Sequence, residues 1–172
     1  GANHAVHLYN GMPEILHRAP GVVGAVFDSK HVMAEIICDG IHIHPSSVRA
    51  TFQMMGADRM ILISDSMRAT GMPDDQYTLG GLDVKVVGKL ATLVSNGAIA
   101  GSATNLADCM RTVVKKMDIP LETAVACATI NPAKSLKIDD EYGSLEKGKK
   151  ANVVLLGKDL ELKAVIKDGK RI

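Results

Sequence analysis

Apolar positions fall in short blocks separated by turn-forming residues along the first third of the chain. Ala5-Val6-His7-Leu8-Tyr9 reads as a short strand that Gly11-Met12-Pro13 ends. Glu14–His17 predicts one helical turn ahead of Arg18-Ala19-Pro20-Gly21. Gly21–Phe27 is apolar almost throughout, and its pattern fits a helix or a strand. Val32–Cys38 predicts a buried strand closed by Asp39-Gly40. Pro45 opens a helix to about Met55, with a serine as the expected cap. Arg59–Ser64 is a nearly unbroken apolar run, suited to a parallel sheet covered on both faces. Strand, helix and strand in this order predict a β/α architecture. The strands Ala5–Tyr9, Val32–Cys38 and Met60–Ser64 are expected to be parallel neighbours.

The pattern changes after Asp65. Tyr77–Leu79, Leu82–Val87 and Ala91–Val94, separated by glycines, read as hairpins. Helical spacing returns over Thr104–Lys116, where Leu106, Met110, Val113 and Val114 mark one face. Two further short helices are predicted, to about Ala128 and over Asn131–Leu136. Ala151–Leu156 and Lys163–Lys167 are strands, expected in a separate small sheet.

Composition removes several classes of function. Lys plus Arg is 20 against 19 for Asp plus Glu, a formal net charge of +1. That balance gives no footprint for nucleic acid or for a polybasic membrane anchor. Aromatic residues are 3% and tryptophan is absent, so base-stacking platforms are not expected. No apolar run reaches the roughly 18 residues of a membrane span. Cys38, Cys109 and Cys127 lack disulfide or zinc spacing and predict reduced thiols, hence a cytoplasmic protein.

Polar residues at the strand ends carry the candidate chemistry. His7, then Asp39, His42 and His44, then Asp65 follow three successive predicted strands. In a β/α barrel such positions converge on one mouth. Imidazole can ligate a divalent metal, and aspartate can ligate or carry a proton. Each residue alone is also an ordinary loop, core or cap residue. His42-Ile43-His44 has the spacing of a paired ligand, but only one of the two rings is expected to face the site. Gly97–Ser102 lacks the lysine of a phosphate-binding loop, so it either turns the chain or brings backbone amides to a ligand.

His7-Leu8-Tyr9-Asn10-Gly11-Met12, Arg18-Ala19-Pro20-Gly21, Asp39-Gly40-Ile41-His42 and Ser64–Gly71 together resemble the N-acetylglucosamine-6-phosphate deacetylase family of the amidohydrolase superfamily. Asn131-Pro132-Ala133-Lys134 and Gly143–Asn152 resemble the superfamily's return to its small β-domain. The resemblance implies an α/β fold: the C-terminal part of a distorted (β/α)8 TIM barrel with part of a small β-sandwich. It divides the chain into barrel at 1–140, with a hairpin insertion at about 77–95, and sandwich segment at 141–172. It implies hydrolysis of the acetamide of N-acetyl-D-glucosamine 6-phosphate to acetate and glucosamine 6-phosphate by metal-activated water. The implied cofactor is a divalent ion such as Zn, Fe or Mn, with His7 as one ligand. Asp65 is the implied general base and acid, and His42 contacts the substrate beside the scissile amide. Asn10 and Gly11 match the segment at the sugar phosphate, although alanine is usual where Gly11 stands. Arg18 matches an arginine that reaches the phosphate across a homodimer interface. Gly101 and Ser102 match the loop lining the acetyl pocket.

The resemblance covers about the C-terminal half of a family chain, and the sequence opens inside strand-like, site-bearing residues. Both predict a longer polypeptide whose first half carries the other metal ligands. Two alternatives stay open: another amidohydrolase acting on a cyclic or linear amide, or a non-catalytic β/α fragment.

Overall fold

The computed structural model describes residues 1–172. Three strands, β1 (His4–Ala5), β2 (Met33–Ile37) and β3 (Met60–Ile63), form a parallel sheet in that order. Helix α1 (Gly21–Asp28) links β1 to β2, and α2 (Pro45–Met55) links β2 to β3. The sheet's covered face meets α1, α2 and two later helices, α3 (Leu106–Met117) and α4 (Leu121–Ala128), over one core. Ala34, Ile36, Met60 and Leu62 come from the strands, and Val23, Val48, Phe52, Val113 and Met117 from the helices. Fully burying a side chain of Leu or Ile size is worth about 1.5–3 kcal/mol, so this layer holds the strands in register.

The first strand departs from its sequence pattern. Ladder pairing with β2 stops at Ala5, and the chain turns at once, because His7 and Tyr9 take φ of 35° and 76°. Leu8 is nevertheless fully buried, and its N–H donates to Glu35 O at 2.8 Å. The apolar alternation over 5–9 therefore reports burial of one leucine rather than an extended strand. Tyr9 fixes the turn to α2. The Thr51 hydroxyl donates to Ser47 O at 2.7 Å, so the Tyr9 hydroxyl donates to Thr51 at 2.5 Å.

Two other local expectations are corrected. Glu14–His17 forms no helical turn; Leu16 and Ala19 instead pair across a tight reversal with His17 and Arg18 at its tip. The cap of α2 is His44, whose Nδ1 accepts the Ser46 N–H at 3.2 Å, with Pro45 at the first helical position. The ambiguous segment after Pro20 is the helix α1.

The loop entering β3 is held by side chains. Arg59 donates to the carbonyls of Met55, Val26, Ser29 and Val32. Buried Asn131, on α5 (Ile130–Leu136), donates to Ala57 O and Met60 O, each at 2.8 Å.

Beyond β3 the chain forms an antiparallel three-stranded sheet of β4 (Gln76–Leu79), β5 (Leu82–Val87) and β6 (Leu90–Leu93). Its small core is Met67, Ala69, Val84, Val86 and Ala91. The C-terminus forms another antiparallel sheet, β7 (Val153–Leu156), β8 (Leu162–Lys167) and β9 (Lys170–Arg171). No helix is long and apolar enough to cross a membrane.

Candidate active site

Parallel pairing sends the residues after β1, β2 and β3 out at the same edge of the sheet. His7 stands in the turn after β1, Asp39 and His42 after β2, and Asp65 after β3. Polar groups at the carboxyl ends of parallel strands are where α/β folds place ligands.

The best-defined pair lies after β2. Asp39 Oδ1 accepts the N–H groups of Ile41 at 2.8 Å and His42 at 3.0 Å. Its Oδ2 lies 2.7 Å from His42 Nδ1. Both side chains are enclosed, at 0% exposure for Asp39 and 6% for His42. Burial pushes the Asp39 carboxyl up, but hydrogen bonds from the His42 ring and the two backbone N–H groups outweigh it. The net result is a carboxyl held below its ordinary value of 3.8. The sequence places Asp39 among the strand-end polar residues without giving it a task of its own; its i,i+3 spacing to His42 across Gly40 is the signal of the pairing.

His7 is the other informative group. Its Nδ1 is buried and has no hydrogen-bond partner. A buried polar atom left unpaired costs about 1–3 kcal/mol, and positive φ in a non-glycine residue adds strain that clusters at functional sites. Gly11, at φ +68°, comes back over this ring: a Cβ there would lie 3.9 Å from His7 Cε1. Asn10 donates to Leu8 O at 3.4 Å and closes the same turn.

Asp65 is exposed, at φ 51°, and its carbonyl accepts the Ser102 N–H at 2.9 Å. Ser102 O in turn accepts the Met67 N–H at 2.8 Å, so 65–67 and 101–102 run side by side. Gly101 is required there. Its φ is +65°, and a Cβ would press on Met67 Cβ at 3.2 Å and Leu79 Cδ2 at 3.3 Å. Ser102 is fully buried, with its hydroxyl accepting the Thr104 N–H at 2.9 Å.

The structure thus brings Ser102 to Asp65 and Asp39 to His42. Arg18 is exposed at its turn, with no bond to either pair. His44 is spent on the cap of α2. No group of three or more His, Cys, Asp or Glu side chains is assembled to hold a metal. His7 Nδ1 fits one coordination bond. The three cysteines are buried and unpaired; burial first of all pushes Cys109 up to about 12 and Cys127 to about 11, which leaves both as inert thiols.

The chain thus carries histidines and aspartates at one edge of a parallel β/α sheet. Residues 2–172 match the Amidohydrolase family, and the chain belongs to it. It is similar to the N-acetylglucosamine-6-phosphate deacetylase of Vibrio furnissii, with 42% identity over 94% of this chain and 40% of that protein. It is 38% identical to the N-acetylgalactosamine-6-phosphate deacetylase of Escherichia coli O157:H7, over 96% of this chain and 43% of that one. A Mycobacterium smegmatis N-acetyl-D-glucosamine-6-phosphate deacetylase mutant, in complex with that phosphosugar, superposes with a TM-score of 0.94. That match has 36% identity and covers 99% of this chain and 45% of the other. The mixed α/β fold is that of these deacetylase structures, and the chain spans less than half the length of the three relatives just named.

Proposed function

We propose that these residues are the C-terminal part of an N-acetylglucosamine-6-phosphate deacetylase, which cleaves the acetamide to glucosamine 6-phosphate and acetate. Residues 1–140 then belong to a distorted (β/α)8 barrel carrying the 76–93 sheet as an insertion, and 141–172 to a small β-sandwich. The observation that carries the reading is the placement of His7, Asp39 with His42, and Asp65 at one edge of three neighbouring parallel strands.

Each residue then has a defined task. Asp65 accepts a proton from the attacking water and returns it to the departing amine nitrogen, which an amide needs because its unprotonated nitrogen leaves poorly. His42 hydrogen-bonds the amide oxygen as negative charge develops there. Gly101 and Ser102, strapped against Asp65, bound the acetyl group. Asn10 and Gly11 approach the sugar phosphate. Arg18, exposed and without an internal partner, reaches a phosphate across a homodimer interface. Binding energy gathered at the phosphate orients the distant amide. His7 Nδ1, buried and unpaired, would hold a divalent ion such as Zn, Fe or Mn together with ligands these residues do not supply. Such an ion, when bound, contributes Lewis acidity and a lowered pKa of water. Three reduced, buried cysteines support a cytoplasmic setting.

A second reading differs in one stereocentre. The similarity to N-acetylgalactosamine-6-phosphate deacetylases favours the galacto epimer as an alternative substrate. Acetate release from both epimers by the gene product containing this chain, with ring opening of dihydroorotate followed separately by ultraviolet absorbance, tests the assignment. Faster release from the gluco sugar is expected. Preference for the galacto epimer selects the second reading, and turnover of dihydroorotate alone overturns both.

A further inference from the structure

The Asp39–His42 contact constrains more than the position of a ring. Ionised carboxylates only accept hydrogen bonds. Asp39 Oδ1 is already engaged by the Ile41 and His42 N–H groups, which fixes the carboxylate plane and aims Oδ2 at His42 Nδ1. The hydrogen across that 2.7 Å gap must therefore sit on Nδ1. The Asp39-Gly40-Ile41-His42 turn is closed by the backbone donors alone, so the bond to the ring is an additional feature.

We propose that Asp39 is a positioning residue that keeps the proton on His42 Nδ1 and so makes Nε2 the atom with which the ring meets the substrate amide. This inference rests on the deacetylase reading for the identity of that amide. It also refines the role of His42. With Nδ1–H committed to Asp39, a neutral ring offers only a lone pair at Nε2. Donation to the amide oxygen then requires the doubly protonated ring, whose charge the adjoining carboxylate balances.

Asp39→Asn separates this role from a packing role. Asn Oδ1 still accepts the two backbone N–H groups, and that leaves its NH2 facing Nδ1. A donor facing Nδ1 requires Nδ1 to be bare, so the neutral ring moves its proton to Nε2. Long-range 1H–15N spectra of the gene product containing this chain, labelled at histidine and recorded with the ring neutral, read the tautomer directly. The His42 signal is assigned by its loss in His42→Gln. The wild-type chain is expected to show the Nδ1–H form and Asp39→Asn the Nε2–H form. His4 is the folding control, since its own partners, Glu35 at 2.8 Å and Ser135 at 2.9 Å, are untouched. An Nε2–H tautomer in the wild-type chain overturns the proposal, as does an unchanged tautomer in a folded Asp39→Asn chain. If the variant unfolds, the wild-type spectrum decides by itself. No turnover is read, so a wrong tautomer leaves the deacetylase reading standing, and failure to release acetate leaves the tautomer result standing.

Discussion

Asp65→Asn separates proton transfer from binding, because the amide keeps the size and polarity of the side chain but cannot accept a proton. In the gene product containing this chain it should lower turnover by at least about 10²-fold, the lower end of general acid–base effects. Phosphosugar affinity should stay near wild type. Arg18→Ala should do the reverse, raising KM with kcat little changed, since it touches the phosphate and not the reacting bond. Steady-state kinetics on both variants, with metal content checked, distinguishes these patterns. Asp39 makes a prediction about pH. Its folded pKa lies below the ordinary 3.8, so it stabilises the fold fully above that value. The contribution is lost as pH falls through the lower folded value. The stability gap between the wild type and Asp39→Asn, from denaturant unfolding, should therefore narrow once pH drops under 3.8. His42 and Asp65 were legible because each follows a strong apolar run, whereas only Ala5-Val6 precedes His7, which was legible through the resemblance carried by His7-Leu8-Tyr9-Asn10. The partnership of Asp39 was not, because it depends on the Gly40 turn at φ 80°, which folds the chain back onto the carboxylate.

Element boundaries follow burial more closely than they follow alternation. The apolar pattern over 5–9 predicts a strand, yet only Ala5 and Leu8 are buried there, and a turn serves Leu8 as well as a strand does. After Pro20 the same run of Val, Ala and Phe becomes α1, because Val23 and Val26 face the core at helical spacing while Val22 stays 50% exposed. Helix α3 was legible from its period, with Leu106, Met110, Val113 and Val114 on one face, and α2 from the start signal at Pro45. The entry into β3 is held by Arg59 and by one amide. Asn131→Ala removes the side-chain donor from the buried Met60 carbonyl, while Ala57 O keeps the Met60 N–H and the Cys127 thiol. An orphaned buried acceptor costs about 1–3 kcal/mol, so a loss of that size is expected in denaturant unfolding. A loss under about 0.5 kcal/mol, the size of an ordinary surface substitution, would show that the carbonyl finds another partner.

At the scale of the whole molecule, the sheet topology sets what these 172 residues can do by themselves. The parallel sheet has three strands, and β1 and β3 each leave one side unpaired. Such edges pair with further strands when these are available. A groove of about 650 Å³ opens between α3, α4 and β7, lined by Leu106, Met110, Val125, Val153 and Leu156. Around it Leu145 is 77% exposed and Val154 57%. Large apolar surface of this kind marks a contact face. The same polypeptide offers a metal one unpaired histidine nitrogen and no group of three ligands. The 172-residue polypeptide should therefore deacetylate poorly, retain less than one divalent ion per chain after desalting, and associate in solution. Light scattering on a sizing column should give a mass above 18.3 kDa that rises with concentration. Val154→Glu with Leu145→Glu should shift it toward the monomer, because a charge buried without a partner opposes association. A monodisperse 18.3 kDa species with stoichiometric metal and turnover matching the longer relatives would overturn this account. It would mean that three strands and one histidine suffice for a site that the geometry leaves open on two sides.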